Sequence, residues 1–429
     1  MRILVIGGGG REHALVWKLA QSRHVERLYC APGNAGIARL AECINLRPND
    51  LDGLANFADA QKVGLTVVGP EAPLIAGIVD RFEARGLPIF GPATDPARIE
   101  GSKSFSKELM VNYGIPTAEH WRCEGPEDAH YRIRTFYELH SDPGTRLVVK
   151  ADGIAAGKGV VVAQSAEEAH LAVDDMMVNR VFGAAGDVVV IEEFLEGQEV
   201  SIMAFTDGES VVAMPPSQDH KRIFDNDMGP NTGGMGAYSP VPVIPATTAG
   251  EAVETILKPA VAAIRDLGIP YKGVLYAGII VTEQGLKTLE FNCRFGDPET
   301  QAILPLLETD LVDVMEAVVN SSLDSVEVKW KSEAAVCVVA SSGGYPGEYT
   351  TGKLIEGLDK ASQVEGCTVF HAGTREENGQ VLTDGGRVLG VTGVGPTLPD
   401  AVTRAYAGIR QIHFEGMHYR HDIAGKALR

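Results

Sequence analysis

The chain lacks the marks of a nucleic-acid-binding, secreted or membrane protein. Its 38 Lys and Arg stand against 57 Asp and Glu, a formal net charge of −19, so neither nucleic acid nor an anionic membrane surface is expected as the main partner. The six cysteines form no C-x-x-C pair, which favours reduced thiols in the cytoplasm over a zinc site or a disulfide frame. No apolar run approaches a membrane span, and the one at the N-terminus is too short for a signal peptide. A cytoplasmic protein that holds anionic substrates through local Arg, Lys and backbone N–H groups is predicted.

Two nucleotide-binding signatures are also incomplete. In a G-x-G-x-x-G fingerprint begun at Gly7, the third glycine would fall on Glu12. A Walker phosphate loop needs Gly-Lys followed by Ser or Thr, where this chain has Gly157-Lys158-Gly159. The sequence therefore indicates neither a dinucleotide fingerprint nor a Walker phosphate loop. At 429 residues it should form two to four domains.

The first hundred residues alternate short apolar strands (2–6, 28–30, 65–68 and 89–90) with helical spacing, which predicts a parallel α/β sheet. Ligands of such sheets lie at the carboxyl ends of the strands. The glycine turn 7–10 is thus a candidate phosphate cradle at a helix N-terminus. Turns 32–36 and 69–74 should lie on the same edge. Ordinary turn chemistry explains any one of them, but three on one edge favour a small-molecule site.

Residues 289–301, LEFNCRFGDPETQ, are the most informative stretch. A strand over 286–291 delivers Glu290 and, two residues on, Asn292 to the same face. A carboxylate and an amide oxygen are hard ligands suited to Mg²⁺ or Mn²⁺ carrying nucleotide phosphates. Arg294 repeats the spacing and could bring a guanidinium beside the phosphates. The alternative is an ordinary surface strand that ends in a polar turn.

The middle of the chain supplies cations and a glycine-rich loop. A helix opening at residues 100–103 and running to about 113 puts Lys103 and Lys107 on one face. A hairpin over 147–162 carries Lys150, and its loop, with Gly153, Gly157, Lys158 and Gly159, is interpreted as a lid for a polyphosphate. A strand over 188–195 and another over 200–205 follow. Residues 217–222 and 229–240 are predicted to be loops, either inert connectors or a wall of the site.

The last hundred residues predict a small β-rich domain. A helix near 310–320 and a linker over 321–328 precede strands at 334–340, 368–371 and 387–392, and a helix over 398–412 packs on them. His371 and Arg387 are its candidate functional residues, although a purely structural role explains each equally well.

Taken together, these pieces resemble the ATP-grasp superfamily. The blocks GGGGREHAL, APGNAG, GPEAPL, EGSK, KADGIAAGKGV, SQDHKR, GPNTGGMGAYSP, EFNCRFGDPETQ and GGYPG, in this order, resemble the glycinamide ribonucleotide synthetase family from residue 1 to beyond residue 400. The resemblance implies an α/β and α+β multidomain fold. Its parts would be a parallel α/β (pre-ATP-grasp) domain over 1–102, an ATP-grasp domain over 103–322 with a lid subdomain at about 122–193, and a small β-rich domain over 323–429.

The resemblance also implies an activity: ATP, glycine and 5-phosphoribosylamine would give ADP, phosphate and glycinamide ribonucleotide through glycyl phosphate, a step of purine synthesis. Alternatives are another ATP-grasp ligase or a carboxylase, and a nucleotide sensor without catalysis. ATP and Mg²⁺ or Mn²⁺ would be required, the partners would be small molecules, and the chain would be a monomer or a dimer.

The site residues that the resemblance implies fall into four sets. Catalytic roles go to Arg294, Lys150 and Asp297. Nucleotide contacts go to Lys103, Lys107, Lys150, Gly157, Lys158, Gly159, Glu192, Glu193, Leu195 and Glu199, of which Glu192 and the backbone to Leu195 would hold adenine and Glu199 the ribose. Substrate contacts go to Gly7, Gly8, Gly9, Gly10, Arg11, Glu12, Asn34, Pro70, Glu71, Asp219, Lys221, Arg294, Gly296, Asp297 and Arg387. The metal would be bound by Glu290 and Asn292. Many ATP-grasp enzymes carry a second carboxylate about twelve residues before the first, where this chain has Gly278, so the ligands of a second metal are in doubt.

Overall fold

The computed structural model describes residues 1–140, 142, 144–154 and 159–428, and its first hundred residues form a parallel sheet. The elements are β1 (Arg2–Gly7), α1 (Gly10–Leu19), β2 (Arg27–Pro32), β3 (Glu42–Cys43), α2 (Leu51–Gln61), β4 (Leu65–Val68), α3 (Glu71–Ile75), α4 (Ile78–Glu83), β5 (Ile89–Phe90) and α5 (Thr94–Gly101). The strand order is β3-β2-β1-β4-β5, and every pairing is parallel. Residues Ile3 to Ile6 of β1 are fully buried and divide alternately between the cores on the two faces, as expected of a sheet covered on both sides. The predicted parallel domain is confirmed.

The middle of the chain builds two antiparallel sheets. Its elements are α6 (Lys103–Asn112), β6 (His120–Cys123), α7 (Pro126–Leu139), β7 (Leu147–Ala151), β8 (Val160–Ala163), α8 (Ala166–Val173), β9 (Val189–Glu193), β10 (Gln198–Thr206), β11 (Val211–Ala213), β12 (Gln218–Asp219), β13 (Arg222–Phe224), β14 (Met228–Asn231), β15 (Gly236–Ser239), α9 (Ala246–Ala252), α10 (Lys258–Asp266), β16 (Gly273–Thr282), β17 (Gly285–Asn292), α11 (Glu299–Ile303) and α12 (Leu311–Val319). One sheet has the order β6-β9-β7-β8 and the other β11-β10-β16-β17. The predicted strand–loop–strand hairpin is β7 and β8, paired antiparallel.

The C-terminal part adds β18 (Ala334–Ser341), α13 (Leu358–Ser362), β19 (Cys367–His371), β20 (Thr374–Glu377), β21 (Gln380–Thr383), β22 (Arg387–Gly395) and α14 (Leu398–Ile409). Its sheet has the order β12-β15-β18-β22-β19, so two strands from the middle of the chain complete it. This sheet crosses the domain boundary predicted at 322/323, and the three sequence-based domain boundaries stay predictions. None of the helices in the described part of the chain is long and apolar enough to cross a membrane.

One sequence-based assignment was wrong. Residues 217–222 and 229–240 are not plain loops, because they contain β12 to β15. The glycine content of β15 made it resemble a loop in the sequence. A Cβ at Gly236 would lie 2.5 Å from the Cys337 carbonyl oxygen, so the close approach of β18 requires glycine there. The helix predicted to open at residues 100–103 is confirmed as α6, which begins at Lys103. The Ser102 side chain accepts the Phe105 N–H at 3.2 Å as its N-cap, and the separate helix α5 ends at Gly101.

Candidate active site

A cavity of about 420 Å³ lies where the three parts of the chain meet. Arg11 and Glu71 line it from the parallel sheet, and Arg387 lines it from the C-terminal sheet. The middle of the chain contributes Lys103, Lys107, Lys150, Glu192, Glu290, Asn292, Arg294 and Asp297. All of the predicted catalytic and metal-binding side chains therefore share one volume of a size typical for small-molecule sites.

Strand β17 carries the predicted metal ligands to the cavity wall. Glu290 pairs with Gly278 and Asn292 with Tyr276 across from β16, after a bulge that leaves Leu289 without a register partner. A Cβ at position 278 would lie 3.2 Å from the Glu290 Cγ. Glycine at the place of the superfamily's second carboxylate thus leaves room for Glu290, which is exposed to the cavity, while Asn292 is almost buried.

A buried carboxylate holds two of the predicted phosphate-binding lysines. The Glu192 Oε1 lies 2.7 Å from the Lys150 Nζ, and its Oε2 lies 2.9 Å from the Lys107 Nζ. The side chains of Lys107, Lys150 and Glu192 are only 3%, 9% and 2% exposed. Burial lowers the pKa of Lys107 to about 8, although Glu192 opposes the shift. Burial alone would raise the pKa of Glu192, but Lys150 and Lys107 outweigh it, so the net shift is downward. The Glu192 carboxylate therefore orients the two lysines, and its assignment to adenine stays a prediction.

Lys103 lines the same cavity as the predicted metal ligands. Its Nζ donates to the Gly153 carbonyl at 3.1 Å. Burial lowers the pKa of Lys103, while the Glu290 carboxylate acts to raise it, which places the two charges near each other.

Three arginines, Arg11, Arg294 and Arg387, also line the cavity, and each is fixed by acids or carbonyls. Arg294 lies 3.2 Å from Glu71 and 3.0 Å from Glu100, and together these acids raise its pKa although burial acts to lower it. Glu100 was not assigned a role from sequence, and its only signal was its place in the EGSK block. Arg387 lies 3.1 Å from the Asp297 carboxylate and donates to the Asp297 carbonyl at 2.9 Å.

The N-terminal glycine turn is filled by Glu12. The Glu12 carboxylate accepts the Gly9 N–H at 2.6 Å and the Arg11 Nε–H at 2.7 Å, and Arg11 also donates to the Phe295 carbonyl at 3.1 Å. A Cβ at Gly7, Gly9 or Gly69 would crowd this carboxylate. The glycines thus make room for an internal side chain at the helix N-terminus. This use of them could not be read from the sequence.

Two more of the predicted residues bridge the parallel sheet to the C-terminal part. The Asn34 amide donates to the Gly8 carbonyl and to the His371 carbonyl, both at 2.8 Å. The His371 N–H donates to the His13 Nδ1 at 2.7 Å. Burial lowers the pKa of His13 to about 3 and that of His371 to about 4, so both rings are neutral near pH 7. His371 is a structural contact between the two parts.

A separate group of polar side chains includes Glu199, Lys221 and Asp219. The Lys221 Nζ lies 2.5 Å from the Glu199 carboxylate. Burial raises the pKa of Asp219 to about 7, with Lys221 opposing the shift and Glu299 and Glu199 adding to it. Burial acts to lower the pKa of Lys221, but Glu199, Asp219 and Glu290 raise it well above its ordinary value. Lys221 therefore lies among acids that include a predicted metal ligand.

The remaining predicted residues are placed as follows. Pro70 is the N-cap of α3, and Gly10 begins α1. The Gly296 N–H lies 3.2 Å from the Met203 sulfur, and Glu193 accepts the Glu119 N–H at 2.9 Å. Leu195 is half-buried in the segment after β9, and Gly159 lines the cavity. Gly157 and Lys158 lie outside the described residues.

Comparisons with known proteins agree with this arrangement. Models of the phosphoribosylglycinamide synthetase N domain, ATP-grasp (A) domain and C domain match residues 1–100, 101–300 and 335–426. The phosphoribosylamine–glycine ligase of Caldanaerobacter subterraneus subsp. tengcongensis is 50% identical over 424 residues, 99% of each chain. The trifunctional purine biosynthetic protein adenosine-3 of Gallus gallus is 51% identical over 430 residues, which cover all of this chain and 42% of that protein.

A solved structure extends the likeness to the fold. The crystal structure of phosphoribosylamine–glycine ligase from Thermotoga maritima has a TM-score of 0.85 and 33% identity, covering 99% of this chain and all of that one. The chain therefore belongs to the phosphoribosylglycinamide synthetase family of ATP-grasp ligases.

Proposed function

We propose that this chain joins glycine to 5-phosphoribosylamine at the expense of ATP, giving glycinamide ribonucleotide, ADP and phosphate through glycyl phosphate. One observation carries the proposal: a single cavity brings the lysines Lys103, Lys107 and Lys150 together with Glu290 and Arg294. The lysines suit a polyphosphate, and the arginines suit the anionic substrates. The activity is a step of purine synthesis.

The chemistry needs charge stabilisation more than covalent help. A carboxylate is a poor electrophile, so an amide ligase first converts it to an acyl phosphate. In phosphoryl transfer the charge spreads over the equatorial oxygens, and positioned cations lower the barrier. Lys150, held by Glu192, and Arg294, held by Glu71 and Glu100, are fixed in place, so little reorganisation is required when that charge develops. The amine of phosphoribosylamine then attacks the acyl carbon, and phosphate leaves.

The residues of β17 fit a divalent cation. An exposed carboxylate at Glu290 and the neutral amide oxygen of Asn292, which accepts from Arg294 at 3.3 Å, are oxygen donors of the kind that Mg²⁺ and Mn²⁺ take. The ion would neutralise phosphate charge at this wall. Together with Gly278, this donor set suits an ion that arrives mainly as the ATP complex.

Three finer expectations belong to the same proposal. The chain acts in the cytoplasm, its metal is Mg²⁺ or Mn²⁺, and it works as a monomer, which light scattering at assay concentration would check against a dimer.

The decisive experiment is ADP release by the purified protein with glycine and 5-phosphoribosylamine. Release should require both substrates and ATP. A carboxylase of the same fold would release ADP with bicarbonate in place of glycine, and a nucleotide sensor would bind ATP without release.

We expect Gly9→Val to raise the KM for 5-phosphoribosylamine by about tenfold or more, the equivalent of about 1.4 kcal/mol of binding. A Cβ at Gly9 would lie 2.9 Å from the Glu12 carboxylate and 3.6 Å from the Asp297 carboxylate. A valine would therefore disturb the Glu12 and Asp297 carboxylates, both of which belong to the predicted substrate contacts. The KM for ATP should stay nearly unchanged, and a rise confined to ATP would reverse the assignment of the turn.

Affinity for ATP should fall at alkaline pH. Because the pKa of Lys107 is lowered to about 8, the free enzyme loses this positive charge as the pH rises above 8, well before an ordinary lysine would. The Kd for Mg-ATP should rise by up to about tenfold per pH unit above that value, since one proton is linked to binding. Calorimetric titrations between pH 7 and 9.5 would measure the slope. In Lys107→Arg, whose charge persists, the slope should disappear.

A further inference from the structure

The tail that follows α14 contains a fully buried arginine whose three side-chain nitrogens all donate hydrogen bonds. Arg420 is 0% exposed. Its Nε and Nη2 donate to the Asp422 carboxylate at 2.7 Å each, and its Nη1 donates to the Asp227 carboxylate at 2.9 Å and to the Arg222 carbonyl at 3.0 Å. A buried guanidinium is tolerated only when it is paired in this way. The contacts of Arg420 therefore fix the position of whatever carries Asp227 and Arg222.

What Arg420 holds is the hairpin β13–β14, whose tip is residues 225–227. Four other tail residues contact the same hairpin. His418 Nε2 lies 2.9 Å from the Ile223 carbonyl, and Asp422 accepts the Asn226 N–H at 2.8 Å. The His421 N–H donates to Asp225 at 2.7 Å, and the Lys426 Nζ lies 2.6 Å from Asp227. Asn226 and Asp227 have φ angles of 57° and 55°. Such left-handed conformations persist in non-glycine residues when the surroundings enforce them.

The base of this hairpin lies at the active-site cavity. The Thr232 N–H and hydroxyl both contact the Lys221 carbonyl, at 2.7 and 2.8 Å, and close the base. Gly233, the next residue, lines the cavity and accepts from Arg387. Lys221 in turn reaches the Glu199 carboxylate at 2.5 Å. A continuous path of hydrogen bonds therefore runs from Arg420 through the hairpin to Lys221 and Glu199.

We propose that Arg420 is a positioning residue for ATP: by clamping the β13–β14 hairpin, it holds Lys221 where Lys221 orients Glu199 toward the nucleotide. The proposal rests on the proposed function in one respect, the assignment of Glu199 to the nucleotide. Arg420 itself touches neither substrate nor metal. Its effect belongs to binding, because the clamp fixes the Lys221–Glu199 pair and leaves Lys150, Glu290 and Arg294 in place.

Two variants test the clamp from its two sides. Arg420→Lys keeps the charge but loses the fork that serves two carboxylates and a carbonyl. Asp227→Asn, at a partly exposed position, removes the negative charge that pairs with Arg420 and leaves the buried arginine itself unchanged. It therefore still tests the clamp if Arg420→Lys does not fold. Arg410→Lys, at an exposed arginine just after α14, is the matched control. Calorimetry with Mg-ATP gives the Kd, and steady-state kinetics give KM and kcat.

We expect both clamp variants to weaken Mg-ATP binding by about tenfold or more and to raise the KM for ATP in proportion. Their kcat should stay within threefold of that of the unsubstituted enzyme. Arg410→Lys should leave all three quantities unchanged. A loss of kcat at constant KM and Kd would mean that Arg420 only maintains the folded fraction, and it would overturn the proposal. Affinity within twofold in Asp227→Asn would overturn it as well. An unsubstituted enzyme that binds Mg-ATP but releases no ADP with glycine and 5-phosphoribosylamine would refute the proposed function instead, because the Kd comparison still decides the clamp.

Discussion

Glu290→Gln is expected to lower kcat by about 10²–10³-fold, the scale seen when one preorganised electrostatic group is removed from an active site. Glutamine keeps the size of the side chain and removes the charge that β17 presents to the cavity. Asn292 stays in place, but it is neutral and already accepts from Arg294. Lys103, whose pKa Glu290 acts to raise, would also lose its compensating charge. Single-turnover measurement of ADP formation would report the loss directly.

The matched control is Glu283→Gln, at an exposed glutamate in the turn between β16 and β17. It makes the same chemical change about as far along the hairpin as possible from the cavity, so kcat should be unaltered. A Glu290→Gln enzyme within threefold of the unsubstituted one would show that this wall is not where phosphate charge is neutralised.

Glu192→Gln should be the most destabilising single change at the site, lowering the free energy of unfolding by about 3–5 kcal/mol near neutral pH. The substitution leaves Lys107 and Lys150 as two adjacent buried cations without the carboxylate that both contact. Denaturant unfolding with and without Mg-ATP would measure the effect. Because bound phosphates replace the missing anion, Mg-ATP should stabilise the variant more than it stabilises the unsubstituted protein.

Glu254→Gln provides the contrast. Glu254 and Lys258 form an exposed pair one helical turn apart, at 2.5 Å, and such pairs contribute only about 0.3–0.5 kcal/mol. Equal losses in Glu192→Gln and Glu254→Gln would mean that the buried triad is no more than an ordinary ion pair.

The sequence predicts those parts of the site whose patterns lie within a few residues of one another, and it does not predict contacts between distant parts of the chain. Glu290 and Asn292 were found because strand alternation is local, and Lys103 and Lys107 because helical spacing is local. The partner of Lys150 could not be found in this way, because Glu192 reaches it across paired strands that are far apart in sequence. Local alternation shows which way a side chain points, and it says nothing about what lies opposite.

Glycine allows a close internal contact in two places, and the sequence analysis anticipated neither. The turn at residues 7–10 indicated a phosphate cradle, which stays a prediction, and the Glu12 carboxylate lies against it. The stretch around Gly236 indicated a loop, yet it is a strand pressed against Cys337. Glycine marks a place where something approaches closely. The sequence does not say whether that is a ligand, a side chain or a neighbouring strand.

The antiparallel sheet β12-β15-β18-β22-β19, which combines strands from the middle and from the C-terminal part of the chain, has a consequence for biosynthesis. Strand β15 pairs with β18, with Tyr238 opposite Val336, so about one hundred residues separate the partners and chain entropy must be overcome before they meet. A ribosome adds about 5–20 residues per second, so β15 waits for several seconds with one edge unpaired. The nucleotide-binding part therefore completes its fold only once the C-terminal strands have emerged, and a nascent chain stalled before β18 would present an open strand edge to chaperones or to other chains.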